Sequence, residues 1–278
     1  MQALKDNIQI LITMTLINCV VLWNYISKGE TKHGIGYFIF FYVAILTIYF
    51  FTKRIPPKSE IIVKEPKKEL SMAVLFSALG ILFLSLNFML QREVISKTIY
   101  TKIPIMLGSL FFAMPLGIFL YLLLKKYKIL QLGLYIKPLS LLLLGIIIWG
   151  LTGLFAFTFH ESGFLWEEGL KEFGGIGGLL LTGIINAALF EEFSRFVIQS
   201  RFEKIYKTAG VNILFATIIW AMMHFPMTYH KVPEISTNLT YCLQIIPLGF
   251  VWGYLTQRTK SIVPTIIAHG LNLWGFQN

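Results

Sequence analysis

Nine long apolar runs, separated by charged segments, dominate this chain. A helix needs about 20 apolar residues to cross the hydrocarbon core of a bilayer. Hydrophobic residues make up 56% of the chain and charged residues 14%, against about 25% charged residues in a typical soluble domain. A soluble globule of this composition could not cover its surface with polar groups. The sequence therefore predicts an all-α fold, a polytopic transmembrane helical bundle of about eight or nine spans.

The runs that begin at Ile176, Val211 and Ile262 are short or interrupted by polar residues. Such segments are tolerated in a membrane protein where they face other helices rather than lipid. The nine runs are Ile8–Ile26, Ile35–Phe51, Ser71–Leu90, Ile103–Leu124, Leu139–Phe157, Ile176–Phe190, Val211–Met223, Leu239–Leu255 and Ile262–Phe276.

Lys and Arg are distributed unevenly between alternate loops. With the N-terminus in the cytoplasm, 16 of the 24 Lys and Arg residues fall in cytoplasmic segments and 7 in outer segments. This bias predicts a cytoplasmic N-terminus and an outer C-terminus. The net charge of +10 is thereby explained by orientation in an anionic membrane, without a nucleic-acid partner. Short loops favour a multi-pass protein of a bacterial inner membrane.

Two common hydrolytic mechanisms are excluded by the acid content of the chain. Asp6 is its only aspartate and precedes the first apolar run. An intramembrane aspartyl protease needs two facing Asp side chains, and a Ser-His-Asp triad needs one. The chain also lacks the His-Glu-x-x-His metalloprotease motif, a Gly-x-Ser-x-Gly nucleophile elbow and a phosphate-binding P-loop.

Ionisable side chains within apolar runs are costly in a membrane, and they mark candidate functional sites. The first such place is the segment with Glu191, Glu192 and Arg195. On a helix, Arg195 lies one turn from both carboxylates and can pair with one, which leaves the other free to act as a general base on water. The alternative is a charged helix end at the cytoplasmic interface, with the Arg side chain extended towards water.

Two further places carry histidine. Trp220 and His224 are four residues apart, so the indole is expected to pack beside the imidazole, although a His at the end of a span is also a common interfacial residue. His269 and Asn272 share a helix face in the last run. They could donate hydrogen bonds to a developing oxyanion, or alternatively form a polar clamp between helices.

Together these three places resemble the CAAX protease and bacteriocin-processing family, also called the Abi or type II CAAX prenyl endopeptidase family. That family has a Glu-Glu pair followed closely by Arg, then an aromatic residue four positions before a His, then a His with Asn or Asp one turn later. Here Arg195 comes one residue early, and Asn272 follows His269 by three residues rather than four. The matching residues are Glu191, Glu192, Arg195, Trp220, His224, His269 and Asn272.

The resemblance implies hydrolysis of a peptide bond within the membrane. It gives Glu191 the role of general base, with His224 helping to hold the attacking water. Arg195 would pair with Glu192 and fix the helix, while His269 and Asn272 would stabilise the oxyanion of the tetrahedral intermediate.

The resemblance leaves the cofactor and the substrate open. Glu191, His224 and His269 could bind Zn²⁺, but a metal-free glutamate mechanism uses the same residues. The expected partners are membrane lipid and a peptide or protein substrate, for which prenylated CAAX peptides, bacteriocin leaders and pheromone precursors all fit. The alternative function is that of a non-catalytic membrane scaffold, immunity or regulatory protein with the same fold. A transporter would be expected to contain an inverted repeat, and no such repeat is visible in the sequence.

The resemblance begins near Leu130, which predicts three regions. Residues 1–70 would form an N-terminal span pair with a Pro-containing cytoplasmic linker, residues 71–129 would add further spans, and residues 130–278 would form the catalytic bundle. The run boundaries alone would keep Glu191 and His224 apart. The sixth run ends at Phe190 on the cytoplasmic side, and His224 follows the seventh run on the outer side, so the two side chains would lie across the membrane from each other. We therefore expect the sixth helix to continue past Phe190, to about Ile198, so that Glu191 lies near mid-bilayer.

Overall fold

The described part of this chain consists of helices and the segments that connect them. The computed structural model describes residues 2–58, 60–113, 115–135, 137–159, 170–171, 174–231 and 233–275. Within these residues there are α-, 3₁₀- and π-helical segments and no strand.

The first half of the chain forms long helices joined by short connections. The run predicted as one span over Ile103–Leu124 is broken: two helices meet there at an angle of 60°, and Pro115, which has no N–H for a helical hydrogen bond, precedes the second. The elements are α1 (Gln2–Ser27), α2 (Thr31–Arg54), α3 (Pro66–Gln91), α4 (Ile99–Gly108) with a π-helical extension (Ser109–Ala113), α5 (Leu116–Leu124), a 3₁₀ turn (Ile129–Leu132) and α6 (Leu141–Phe159).

The second half carries all of the candidate site residues. Its helices are α7 (Ile176–Leu180), a π-helical segment (Leu181–Leu189), α8 (Phe190–Tyr206), α9 (Ala209–Met223), α10 (Phe225–Lys231), α11 (Ile235–Thr259) and α12 (Val263–Gly275).

The predicted multi-pass helical membrane bundle is confirmed. By length and composition, five helical stretches of the described residues could cross a membrane, or six if the bent pair α4–α5 counts as one span. The stretch Ile176–Tyr206 is one of the five, and two shorter apolar helices cover Leu141–Phe155 and Ala209–Met223. Fewer than nine helices therefore reach the length of a full span within the described residues.

One hydrophobic core joins the N-terminal helices to those that carry the site. Ile10 of α1 and Phe41 of α2 are buried in the same cluster as Ile213 of α9 and Phe250 of α11. Since apolar side chains from both ends of the chain fill this core, α1 and α2 pack as integral parts of the bundle.

Two glycines bring α11 very close to its neighbours. A Cβ at Gly249 would lie 2.7 Å from the ring of Trp220, and a Cβ at Gly253 would lie 2.6 Å from Cγ2 of Ile213. Gly249 and Gly253 form a Gly-x-x-x-Gly pair, the spacing at which membrane helices approach each other closely. This approach sets the distance between α9 and α11 at the level of the site.

Candidate active site

Helix α8 places the two carboxylates inside the bundle. It begins at Phe190 and continues to Tyr206, and the ten residues from Glu192 to Arg201 are all buried. The prediction that the sixth helix continues past Phe190 is confirmed, and the helix extends beyond Ile198. Glu191 therefore lies within a continuous helical stretch rather than at its cytoplasmic end, where the end of the apolar run would have put it.

The turn between α8 and α9 explains how Glu191 and His224 reach the same depth. Lys207 ends α8 and Thr208 precedes α9. Glu191 lies 16 residues before Lys207, and His224 lies 16 residues after Thr208. At 1.5 Å per residue both lie about 24 Å from the turn along antiparallel helices. The apolar run ends at Phe190, sixteen residues before the helix ends at Tyr206, and this difference explains why the run boundaries alone placed the two residues on opposite sides of the membrane.

The segment just before Glu191 is wound as a π-helix over Leu181–Leu189. This winding is rare, and it is frequently found at functional sites. Here it immediately precedes the residues that the sequence marks as candidate catalytic groups.

The carboxylate of Glu191 lies among three aromatic side chains. Nε1 of Trp220 donates a hydrogen bond of 2.7 Å to Oε2 of Glu191. The same Oε2 lies 3.6 Å from Nε2 of His224 and 3.7 Å from Nε2 of His269. The structure therefore brings together residues from α8, α9 and α12 that are distant in the sequence.

Both histidines are held through Nδ1, which directs Nε2 towards Glu191. Nδ1 of His224 lies 3.0 Å from the main-chain oxygen of Trp220, and Nδ1 of His269 lies 2.9 Å from Oε1 of Glu192. A carbonyl or carboxylate oxygen only accepts, so Nδ1 carries the proton in each ring. In a neutral imidazole Nε2 then has a free lone pair, and in both rings that atom faces the carboxylate of Glu191.

The aromatic rings fix the planes of the two imidazoles. Trp220 meets His224 edge to face with 4.7 Å between ring centroids, so the predicted packing of this pair is confirmed. Trp252 stacks on His269 with centroids 3.8 Å apart. The rings are thereby restrained against rotation away from Glu191.

Glu192 and Arg195 form a fully buried ion pair below Glu191. Nη2 of Arg195 hydrogen-bonds Oε2 of Glu192, and Nη1 donates to the main-chain oxygen of Gly249 at 2.7 Å. The i,i+3 spacing predicted from the sequence thus permits the pair. Because Glu192 also accepts from His269, a chain of contacts leads from Gly249 on α11 through Arg195 and Glu192 to the imidazole.

Asn272 lies one turn after His269 on α12. It is 6% exposed, and its Oδ1 has no hydrogen-bond partner among the described residues. A buried amide without its partner is costly unless a ligand or water completes it. Asn272 therefore contributes a polar group whose hydrogen bonding is incomplete in this arrangement.

Accessibility divides the site into an open and a closed side. The side chains of Glu191 and His224 are 26% and 18% exposed, whereas those of His269, Glu192 and Arg195 are buried. Glu191 and His224 are therefore the partly exposed members of the site, while the other groups lie within the bundle.

The arrangement does not fit a bound metal ion. Among the described residues, no three His, Cys, Asp or Glu side chains are grouped so that they could hold one. We therefore derive no chemical step through Zn²⁺.

Trp252 and the glycine pair on α11 were missed by the sequence reasoning. Trp252 stacks on His269, and Gly249 supplies the main-chain acceptor for Arg195. The signal was present in Gly-Phe-Val-Trp-Gly over residues 249–253, a small-x-x-x-small pattern that marks close helix packing in membranes.

One protein-family model matches the C-terminal part of the chain. Residues 174–274 match the family model for type II CAAX prenyl endopeptidase Rce1-like proteins. The matched region holds all three motifs, and the resemblance predicted from them is confirmed. At the level of the family, the match supports a CAAX-type intramembrane endopeptidase with a peptide substrate. No curated protein and no solved structure matches the chain.

Proposed function

We propose that this protein is an intramembrane endopeptidase in which Glu191 activates water for attack on a peptide bond. The match of residues 174–274 to the Rce1-like family supports the reaction class. The observation that carries the mechanism is the approach of two imidazole Nε2 atoms to Oε2 of Glu191, at 3.6 and 3.7 Å. Groups at this spacing are too far apart for a direct hydrogen bond and suit a shared water molecule.

In this mechanism the water donates one hydrogen bond to Glu191 and the other to Nε2 of His224. Glu191 takes the first proton as the water oxygen bonds to the carbonyl carbon of the substrate. The tetrahedral intermediate then collapses, and Glu191 returns the proton to the departing amine, so the carboxylate is regenerated. A positioned general base of this kind typically contributes about 10²–10⁴-fold to the rate.

The oxyanion would be stabilised from α12. The side-chain amide of Asn272 carries an N–H donor, and Asn272 lies one turn after His269 on the same buried helix. His269 can add a donor from Nε2 when both ring nitrogens are protonated. Each donor of this type is typically worth about 3 kcal/mol of barrier.

Arg195 and Glu192 are assigned to positioning in this mechanism. Glu192 holds Nδ1 of His269 at 2.9 Å, and Arg195 holds Glu192 against the main chain of α11. Removal of either partner would leave a buried charge uncompensated, which typically costs 3–5 kcal/mol of stability.

The test is cleavage by purified protein in lipid vesicles, with prenylated CAAX peptides and leader peptides as candidate substrates and mass spectrometry of the products. Glu191→Gln is isosteric but cannot take the proton, so kcat is expected to fall about 10²–10⁴-fold. Glu203→Gln is the matched control, because Glu203 lies on the same helix but three turns away, and its activity is expected to be unchanged.

His224→Ala should lower kcat as well, since it removes the second contact of the water. Parent-like cleavage by both Glu191→Gln and His224→Ala, at normal expression, would reject the peptidase mechanism in favour of a non-catalytic scaffold or regulatory protein of the same fold.

A further inference from the structure

A second buried ion pair joins α3 to α8, away from the site. Nε of Arg201 donates to Oε2 of Glu69 at 2.9 Å, and both side chains are almost completely buried, at 0% and 1% exposure. Glu69 lies outside the matched residues 174–274. An ion pair removed from water is favourable only when further hydrogen bonds satisfy both partners.

The carboxylate of Glu69 is satisfied by groups from two other segments. The hydroxyl of Tyr127 lies 2.8 and 3.0 Å from its two oxygens, and the main-chain N–H of Glu65 donates to Oε1 at 3.1 Å. Burial raises the pKa of Tyr127 to about 12, so the phenol keeps its proton at neutral pH and donates it. Glu69 therefore connects α3 to three other segments, which are the linker before α3, the connection that follows α5, and helix α8.

Arg201 depends on Glu69 for its charge compensation. Nη1 of Arg201 reaches only the neutral hydroxyl of Ser200, at 2.9 Å, and Nη2 has no hydrogen-bond partner among the described residues. The guanidinium also lies 5.5 Å from the centre of the Tyr127 ring. No other carboxylate forms an ion pair with Arg201 within the described part of the chain.

Helix α8 is thereby held from two opposite sides. Arg195 and Gln199 donate to the main-chain oxygens of Gly249 and Gly253, one turn apart on α11. Arg201 is two residues after Gln199, which at 100° per residue turns its side chain about 200° away, towards α3. The contacts with α11 fix one face of α8, and the Glu69 pair fixes the other.

We propose that Glu69 is a positioning residue for the active site, because its pair with Arg201 sets the rotation and depth of α8 and thus of Glu191 and Glu192. Arg201 lies ten residues after Glu191 on the same helix, a distance of about 15 Å. A change of register at Arg201 moves both carboxylates relative to His224 and His269. This inference rests on the proposed peptidase function.

The test replaces the pair by apolar residues, Glu69→Leu with Arg201→Met. Such replacement of a buried pair is often neutral or stabilising, but the Tyr127 hydroxyl and the Glu65 N–H lose their acceptor, so the protein is expected to stay folded with a somewhat lower thermal midpoint while kcat falls at least tenfold and KM changes less than twofold. The matched control is Glu93→Leu with Lys97→Met, which removes an exposed pair and is expected to leave both kinetic constants unchanged.

A second variant, Glu69→Asp, keeps the charge but withdraws the carboxylate by one methylene. Its kcat is expected to lie between those of the parent and the double variant. If the double variant does not fold, the kcat of Glu69→Asp alone tests the positioning role. Parent-like kcat in the folded variants would overturn the positioning role. If Glu191→Gln is then inactive, the peptidase proposal still stands, whereas an active Glu191→Gln protein would refute that proposal itself.

Discussion

His224 owes its orientation to a main-chain oxygen rather than to another side chain. Because Nδ1 of the ring contacts the oxygen of Trp220, only Nε2 is available to the water beside Glu191. His269 is oriented differently, through the carboxylate of Glu192, which is 77 residues away in the sequence. The two rings thus meet one carboxylate by independent means.

This difference between the ring nitrogens leads to a prediction for His224. The amide oxygen of Gln can accept a hydrogen bond at the position of Nε2, whereas the shorter Asn reaches only the position of Nδ1. We expect His224→Asn to lose most activity, within the range of about 10²–10⁴-fold typical of acid–base groups, and His224→Gln to lose less. Single-turnover cleavage at saturating peptide measures the order. A reversed order would show that Nδ1, not Nε2, carries the function.

The grouping of the site side chains leads to a prediction about metal dependence. Among the described residues, no three His, Cys, Asp or Glu side chains are placed so that they could hold a metal ion. Peptide cleavage is therefore expected to survive incubation with EDTA and 1,10-phenanthroline, in conditions under which a zinc protease loses its activity. Stoichiometric metal in the purified protein, with loss of cleavage on its removal and recovery on its return, would contradict the metal-free proposal.

The types and order of the site residues and their partners on the same helix could be predicted at this scale, but their partners on other helices could not. Glu191, His224 and His269 stand out because a titratable group in an apolar run is costly. The contact between Glu192 and His269 depends on how α8 and α12 pack, and no pattern within either helix carries that information. The geometric proximity of Glu191 to both imidazoles is therefore a finding of the structure, while their catalytic roles stay proposals.

The burial of α8 within the bundle was underestimated for a physical reason. Hydropathy averages a segment regardless of which way its side chains point, so the polar residues after Phe190 appeared to end the span. In the structure the ten residues Glu192–Arg201 are enclosed by neighbouring helices, and their polar groups meet protein rather than lipid. The prediction that the helix continues succeeded only because the motif required Glu191 and His224 to meet.

The close approach of α11 to α9 leads to a prediction for Gly253. A Cβ there would lie 2.6 Å from Cγ2 of Ile213 and 3.1 Å from Oε1 of Gln199, so Gly253→Ala forces the helices apart. Overpacking of this kind typically costs about 1–3 kcal/mol. We expect a lower thermal midpoint in detergent and a lower kcat, because α11 also supplies the acceptor for Arg195.

Gly150 on α6 provides the matched control. A Cβ at Gly150 meets nothing within 4 Å, and Ala is favoured over Gly in a helix by up to about 1 kcal/mol. Gly150→Ala should therefore keep or raise the midpoint and leave cleavage unchanged. An equal response of the two variants would mean that close packing at Gly253 does not constrain the site.

The whole molecule is more integrated than the motifs alone indicate. The motifs and the family match lie within the C-terminal part of the chain, which suggested a catalytic bundle over 130–278 with added N-terminal spans. In the structure, Gln9 of α1 accepts a hydrogen bond from the first N–H of α9, at Ala209, at 3.3 Å. Thr13 lies so close to Gly210 that a Cβ there would be 2.5 Å from its hydroxyl.

These contacts lead to a prediction about truncation. Removal of residues 1–54 would delete α1 and α2 and expose the apolar side chains that Ile10, Met14 and Phe41 cover in the shared core. We expect the truncated protein to unfold at a lower temperature in detergent and to lose cleavage, since α9 carries Trp220 and ends directly before His224. Co-expression of residues 1–54 as a separate fragment should restore both properties, because the helices bind through packing rather than through the connection. Full activity and an unchanged midpoint in the truncated protein would show that the N-terminal helices are an independent addition to a self-sufficient catalytic bundle.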